Sequence, residues 1–333
     1  MKGINRRTML LGMGAVGAMA MGISGCNSAQ AQAPAAPSAP VAGGGAAPAA
    51  PQGTRVFLLG TGGGPRVVKN GRSKPANVVI VNGTPYVVDC GEGVAQQLVN
   101  VDVTLNKLRY IFITHHHSDH NLDMGNLIYD AWAWGLRTPI DVYGPPPIQD
   151  MMKAYWEFNK FDIETRIDDE GRPDLRKMVT AHEVNKPGLV MQNAEVKVTC
   201  TRVRHVPIVH GYAYRFDTPH RSIVFSGDTA YSPELVELAK GADLLVHEAM
   251  DLQGIESIFK RVQNAATLRE HLMASHTLEE DVGKVAAAAG VKKVVLTHLV
   301  PADDKSITDE MWAAGVRKHY NGPVVVGHDL MEV

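Results

Sequence analysis

Thr114-His115-His116-His117-Ser118-Asp119-His120 stands directly behind the apolar run Leu108-Arg109-Tyr110-Ile111-Phe112-Ile113. Such a run reads as a buried strand, and a strand that empties into a polar loop fixes the loop's side chains at the edge of a sheet. Four imidazoles and a carboxylate fall within this one loop. His115 and His117, two apart, can close on one cation, while Asp119 and His120 suit a second cation close by. A solvated His-rich loop is the plain alternative, but it leaves the strand that delivers the cluster without a purpose.

Toward the C-terminus the same device recurs. Val196 to Arg204 reads as a strand ending at His205, Ser222 to Ser226 ends at Gly227-Asp228, Leu244 to Val246 at His247, and Val294 to Thr297 at His298. Taken singly, each His would serve packing. Taken with the first loop, they bring ligand-type side chains to one sheet edge, where a rigid scaffold leaves room for substrate.

The His-x-His-x-Asp-His pattern resembles the signature of the metallo-β-lactamase superfamily, from about Arg55 to the C-terminus. The resemblance implies an α/β fold, an αββα sandwich of two mixed β-sheets flanked by helices, as one catalytic domain over 54–333. It also implies two divalent metal ions. A His-rich, thiolate-free site favours zinc, with manganese or iron as alternatives because carboxylates take part. Carried over residue by residue, His115, His117 and His205 look like ligands of one ion, and Asp119, His120 and His298 like ligands of the other. Asp228 looks like the carboxylate shared by both, and Asp119 also counts as catalytic. Asp89 reads either as the carboxylate that orients a ligand imidazole or as a helix cap.

Within the superfamily the chain resembles the ribonuclease Z and arylsulfatase-like branch. His247-Glu248-Ala249 is similar to the His-Glu-Ala-Thr motif of ribonuclease Z, with Met250 in place of Thr, which makes His247 the expected general acid. Ser275-His276-Thr277 and Leu296-Thr297-His298-Leu299-Val300-Pro301 look more like arylsulfatase-like members. His276 precedes an expected helix opened by a Thr277-Leu278-Glu279-Glu280 capping box and is expected to bind substrate. Tyr231 stands where related lactonases carry a substrate-polarising Tyr. The implied reaction is hydrolysis of a phosphodiester or aryl sulfate ester by a metal-bridging hydroxide. A lactonase or β-lactamase-like hydrolase acting on a carbonyl is the alternative.

The 333 residues are 45% hydrophobic and 20% charged, which suits one large globular domain with appendages. A formal net charge of -2 gives no general electrostatic case for nucleic acid. No long basic arm is visible, so the expected partner is a small-molecule ester, with no nucleic acid and with a homodimer as a candidate assembly. Arg6-Arg7 before the weakly apolar segment Met9 to Ile23 resembles a twin-arginine export signal, and Ile23-Ser24-Gly25-Cys26 resembles a lipobox. Residues 1–26 therefore read as an export signal with Cys26 as lipid acceptor, and 27–53, almost wholly Ala, Pro, Gly, Ser and Gln, as a disordered tether. The expected location is periplasmic or cell-surface, anchored in a membrane. Cys90 and Cys200 read as buried thiols.

Overall fold

The computed structural model describes residues 53–260 and 262–333. The expected export signal, Cys26 and the tether as far as residue 52 lie outside the described residues. Among the described residues, no helix is long and apolar enough to cross a membrane.

In chain order the strands are β1 (Thr54–Gly60), β2 (Ala76–Val81), β3 (Thr84–Val88), β4 (Tyr110–Phe112), β5 (Ile140–Gly144), β6 (Val179–Glu183), β7 (Gly188–Gln192), β8 (Lys197–Arg202), β9 (Tyr212–Asp217), β10 (Ser222–Phe225), β11 (Leu244–Met250), β12 (Val294–Val300), β13 (Val324–Val326) and β14 (Met331–Glu332). They form two seven-stranded sheets, ordered β14-β1-β2-β3-β4-β5-β6 and β13-β12-β11-β10-β9-β8-β7. Each is mixed: β1 to β3 pair antiparallel and β3 to β6 parallel, while β7 to β10 pair antiparallel and β10 to β13 parallel. The β2–β3 hairpin turns at Asn82-Gly83, both at positive φ (47° and 83°), as that dipeptide requires.

Strand alternation explains the layering. Val56 and Leu58 of β1 pack between the sheets with Ile223 and Phe225 of β10 and Leu244 and Val246 of β11. The intervening Phe57 and Leu59 face the helices on the first sheet's outer side, and Val224 and Leu245 face those on the second's. Each fully buried Val, Leu or Phe stabilises by about 1.5–3 kcal/mol, so both sheets are held from both faces. Cys90 and Cys200 are buried free thiols. Trp132 is buried in the outer core of the first sheet, whereas Phe158 is exposed.

Several local expectations are corrected. β11 and β12 do not end at His247 and His298 but continue through them, because Ala249-Met250 and Leu299-Val300 prolong the buried runs. The charged stretch from Asp162 to Lys186, interrupted by Gly171 and Pro173, contains most of helix Lys160–Glu170 and β6. As an edge strand, β6 is only partly buried and shows no apolar run to read. Helix Glu279–Ala289 starts after Leu278 without a side-chain cap, because the Thr277 hydroxyl donates to the Thr229 carbonyl instead.

Candidate metal centre

Backbone devices at the strand ends aim the ligand-type side chains. After β4, Ile113 and Thr114 lead into His115 and His117, and the short helix Ser118–Asn121 carries Asp119 and His120. Asp89 follows β3 in a left-handed conformation (φ 63°) and accepts from Thr114 N (2.8 Å), Thr114 Oγ1 (2.9 Å) and His120 Nδ1 (2.8 Å). Of its two readings, the imidazole-orienting one describes the geometry. The bond to Asp89 keeps the His120 proton on Nδ1 and presents Nε2 to the centre. Gly227 has φ 59°, and a Cβ there would lie 2.8 Å from the Tyr212 carbonyl oxygen, so only glycine lets the chain turn Asp228 inward. In β12, Thr297 pairs with Glu248 and Leu299 with Ala249, leaving His298 unmatched in a bulge at φ 43°.

The result is a cluster of donors that are all nearly inaccessible except the half-buried His117. His115, His117, His205 and Asp228 present one ligand atom each within 4.8 Å of one another, and so do Asp119, His120 and His298. His117 Nδ1 lies 3.1 Å from His115 Nε2 and 3.0 Å from His205 Nε2. Asp228 Oδ2 lies 3.9 Å from His115 Nε2 and 3.1 Å from His298 Nε2, and Asp228 Oδ1 lies 3.3 Å from His120 Nε2. Asp119 Oδ2 stands 3.5 Å from His298 Nε2 and 3.7 Å from His120 Nε2. Ligands held about 2.0–2.1 Å from a tetrahedral ion are separated by about 3.3 Å, so these spacings suit divalent cations. His120 Nε2, His298 Nε2 and Asp228 Oδ1 are buried without a hydrogen-bond partner, which an apolar or purely hydrogen-bonded function would not tolerate.

Protonation follows position. Burial pushes His115 well below the ordinary imidazole value, and burial takes His205 down to about 4, so both offer neutral nitrogens. Burial also opposes charge on His298, but Asp228 and Asp119 outweigh it and raise the imidazole to about 10. His120 is raised likewise, by Asp228 and Asp89 against burial. Burial disfavours ionised Asp228, yet His298 and His120 hold it well below the usual carboxylate range. The metal-free cluster is thus a balanced set of charges in which two protons occupy places that a cation can take.

A second buried pair borders the cluster. Glu248 Oε2 binds His276 Nδ1 at 2.9 Å, and that nitrogen lies 4.0 Å from Asp228 Oδ2. Burial opposes a charge on His276, but Glu248 more than reverses the effect and raises its pKa. His276 follows helix Ala265–Ser275 and, as expected, stands just before the next helix, two residues ahead of its N-cap Leu278. A cavity of about 310 Å³ opens on the cluster, with His117, Asp119, Asp228, His276 and His298 on one side.

His247 is not brought there. It shares a strand face with Leu245, toward the helical layer, while Glu248 shares one with Val246, toward the other sheet. His247 is fully buried, its Nδ1 lies 2.7 Å from the Glu248 carbonyl oxygen, and burial lowers its pKa to about 4. Tyr231 is 39% exposed and lines no wall of the cavity, nor do the Trp and Phe residues of 132–158. Asp329 accepts from Thr61 N and Ser73 N and pins the loop Thr61-Gly62-Gly63-Gly64 that follows β1, whose Gly63 and Gly64 line the cavity. Glu248 carries no signal of its own in the motif beyond strand alternation, which, counted from Val246, sets it on the face opposite His247.

Comparison with known proteins places this geometry. The family described as the β-lactamase superfamily domain matches residues 84–299. Ribonuclease Z of Mycolicibacterium gilvum is 30% identical over 286 residues, covering 84% of this chain and 95% of the relative. The fold matches human tRNase Z, short form, with a TM-score of 0.62 at 21% identity, and the metallo-β-lactamase fold protein YhfI of Bacillus subtilis with 0.61 at 19%, each covering 84% of this chain and 98% of the other. The expectation of a small-molecule ester and no nucleic acid is overturned by this kinship to ribonucleases. Net charge misled because it averages the whole chain and says nothing about one face. These relatives lend no support to the arylsulfatase-like resemblance. The chain belongs to the metallo-β-lactamase superfamily, as a hydrolase homologous to ribonuclease Z.

Proposed function

We propose that the protein is a binuclear metal-dependent phosphodiesterase that cleaves RNA. The observation that carries this reading is Asp228, whose Oδ2 lies 3.9 Å from His115 Nε2 of one donor set and 3.1 Å from His298 Nε2 of the other, while the His276–Glu248 pair stands beside them. His115, His117 and His205 would hold one ion, Asp119, His120 and His298 the other, with Asp228 common to both, and zinc suits so many imidazoles. When bound, two divalent ions supply Lewis-acid activation of water and of the phosphoryl group.

The remaining work falls to the chain's own groups. Asp89 keeps His120 in the tautomer that presents Nε2. Asp119 lies 3.5 Å from His298 Nε2 and is held ionised, burial notwithstanding, by that imidazole and His120. Glu248 keeps a proton on His276 and holds its Nδ1, so that Nε2 is the atom left to protonate a departing ribose oxygen. The acid role expected of His247 passes to His276 for that reason. Export and anchoring at Cys26 remain part of the proposal, supported by Arg6-Arg7 and the lipobox sequence; Cys26→Ser should release the protein from the membrane fraction.

The test is a zinc- or manganese-reconstituted preparation offered a hairpin RNA with a 3′ extension, bis-nitrophenyl phosphate, an aryl sulfate and a lactone. Cleavage of the RNA and of the diester, abolished in Asp228→Ala, is expected. Turnover of sulfate or lactone with both phosphodiesters inert would overturn the reading.

A further inference from the structure

The edge of the sandwich remote from the metal ligands carries a second cavity, of about 420 Å³. The metal ligands follow the C-terminal ends of strands, whereas Thr84 opens β3 and Tyr110, preceded by Arg109, opens β4, and these residues line the second cavity. Tyr110 and His115 are five positions apart along nearly extended chain, roughly 15–20 Å. The two cavities share no lining residue. Asn193 and Glu195, in the turn between β7 and β8, supply the wall that belongs to the second sheet.

The hydrogen bonds inside this cavity leave donors over. Asn193 Oδ1 accepts from Glu195 N (2.9 Å) and Val196 N (2.8 Å), which fixes Nδ2 as the donor to the phenol oxygens of Tyr86 (2.9 Å) and Tyr110 (3.5 Å). Both phenol oxygens therefore accept, and among the described residues neither hydroxyl proton has an acceptor. Burial raises the pKa of Tyr86, so its proton stays in place. Arg109 is the more telling group. Its Nε is buried without a partner, no carboxylate among the described residues pairs with its guanidinium, and it rests near the Tyr110 ring, with Cζ 5.9 Å from the centroid. Other arginines of the fold are matched, Arg55 with Glu332 and Arg215 with Asp217. Glu195, the carboxylate on this wall, does not meet the need, since its Oε1 accepts from Asn82 Nδ2 (2.7 Å). Three donor groups thus share one cavity with no acceptor between them, an arrangement that buried polar groups seldom keep without a ligand.

We propose that this cavity is a second binding site, for the phosphate or carboxylate group of a small molecule, held by the Arg109 guanidinium and the Tyr86 and Tyr110 hydroxyls. A guanidinium presents its N–H groups as a fork that matches two oxygens of either anion, and such charge-assisted bonds are the strong ones. The volume, about 420 Å³, falls within the roughly 300–1,000 Å³ usual for small-ligand sites, so an organic body fits behind the anionic head. Tyr86, Arg109 and Tyr110 come from the first sheet and Asn193 from the second, so a bound anion ties the sheets together at the edge remote from the metal ligands. The inference stands independently of the phosphodiesterase reading.

Inorganic phosphate and succinate, titrated calorimetrically into the zinc-loaded full-length protein, test the site. The wild type should take up an additional anion per chain that Arg109→Met does not, while any phosphate held at the metals is common to both. Arg109→Lys, which keeps the charge and loses the fork, should weaken the remote binding about tenfold. Tyr110→Phe, which keeps the ring stack on Tyr86 (centroids 4.8 Å apart) and loses only the hydroxyl, should also weaken it about tenfold. The bound anion should raise the melting temperature of the wild type and not that of Arg109→Met. Metal content and diester cleavage should stay as in the wild type in all three variants. Tighter phosphate assigns a phosphorylated ligand and tighter succinate an organic acid, and dependence on Arg109 and Tyr110 sustains the site in either case. Equal stoichiometry and affinity for both anions in the wild type, Arg109→Met and Tyr110→Phe would overturn it, as would losses confined to phosphate bound at the metals.

Discussion

Replacing Asp89 with Ala removes the acceptor for three donors at once: Thr114 N, Thr114 Oγ1 and His120 Nδ1, at 2.8, 2.9 and 2.8 Å. Asp89 is 3% exposed and Thr114 1%, so water cannot readily take the acceptor's place. A buried donor left unpaired costs about 1–3 kcal/mol, less for the rotatable hydroxyl, giving a loss on the order of 3–6 kcal/mol. Alanine at φ 63° adds strain that Asp tolerates better, about 1 kcal/mol. For a domain of this size each kcal/mol is worth about 2–4 °C, so the metal-free variant should melt on the order of 10 °C lower. The more specific consequence is at the metal. Without the carboxylate, His120 is free to rotate or to change tautomer, which typically costs about 10–100-fold in affinity. Competition with a chelator, followed ion by ion, should show the weaker binding confined mainly to the set containing His120, with the set of His115, His117 and His205 less affected. Asp89→Asn, which keeps an acceptor and tolerates the backbone, should recover much of the melting temperature but less of the affinity. Unchanged affinity at the His120 set in a folded Asp89→Ala protein would refute the reasoning.

Further outcomes follow from the same geometry. His276→Ala should slow cleavage of diesters with alkoxide leaving groups by about 10²–10⁴ but cost little with nitrophenolate, which leaves without a proton; equal losses across leaving groups would contradict the acid role. His247→Ala should lower the melting temperature by opening a cavity, yet leave metal content and leaving-group selectivity as in the wild type, because His247 lies outside every donor set; selectivity lost in that variant would return the acid role to it. In the metal-free protein, His298 is held at about 10, above its unfolded value of about 6.5. Its contribution to stability is therefore fully present below the unfolded value and is lost as pH rises through the folded one. Chemical denaturation of the metal-free chain should show stability falling across that window, more steeply than in His298→Gln; parallel curves would refute it. Zinc binding at pH 8 should release protons, measurable by calorimetry in buffers of different ionisation enthalpy, and a binding enthalpy independent of buffer would count against displacement from His120 and His298.

Much of the architecture was legible because strand-forming runs and ligand-type residues alternate along the chain. Apolar stretches such as Ile111-Phe112 and Val295-Leu296 declare buried parallel strands, and the residues behind them declare the edge that carries chemistry. Edge strand β6 was illegible for the opposite reason, since a partly buried edge need not be apolar. The motif around His247 does not reveal which of its residues faces the centre, because strand alternation sets neighbours 247 and 248 on opposite faces. The bulge at His298 and the Asp89 triple acceptor depend on register and φ, which no local composition specifies. Tyr231 shows the limit of carrying over a single residue: its spacing from Asp228 is short, yet its side chain does not line the cavity.

Two ions acting together on a phosphodiester are tested most directly by a titration of metal-free protein with zinc in which ions bound per chain and the rate of diester cleavage are followed in the same samples. The rate should rise to its plateau only as the second ion binds, and Asp228→Ala should neither retain two ions nor reach that rate. A wild-type plateau reached at one ion per chain, or a full rate with none, would contradict joint action of two ions.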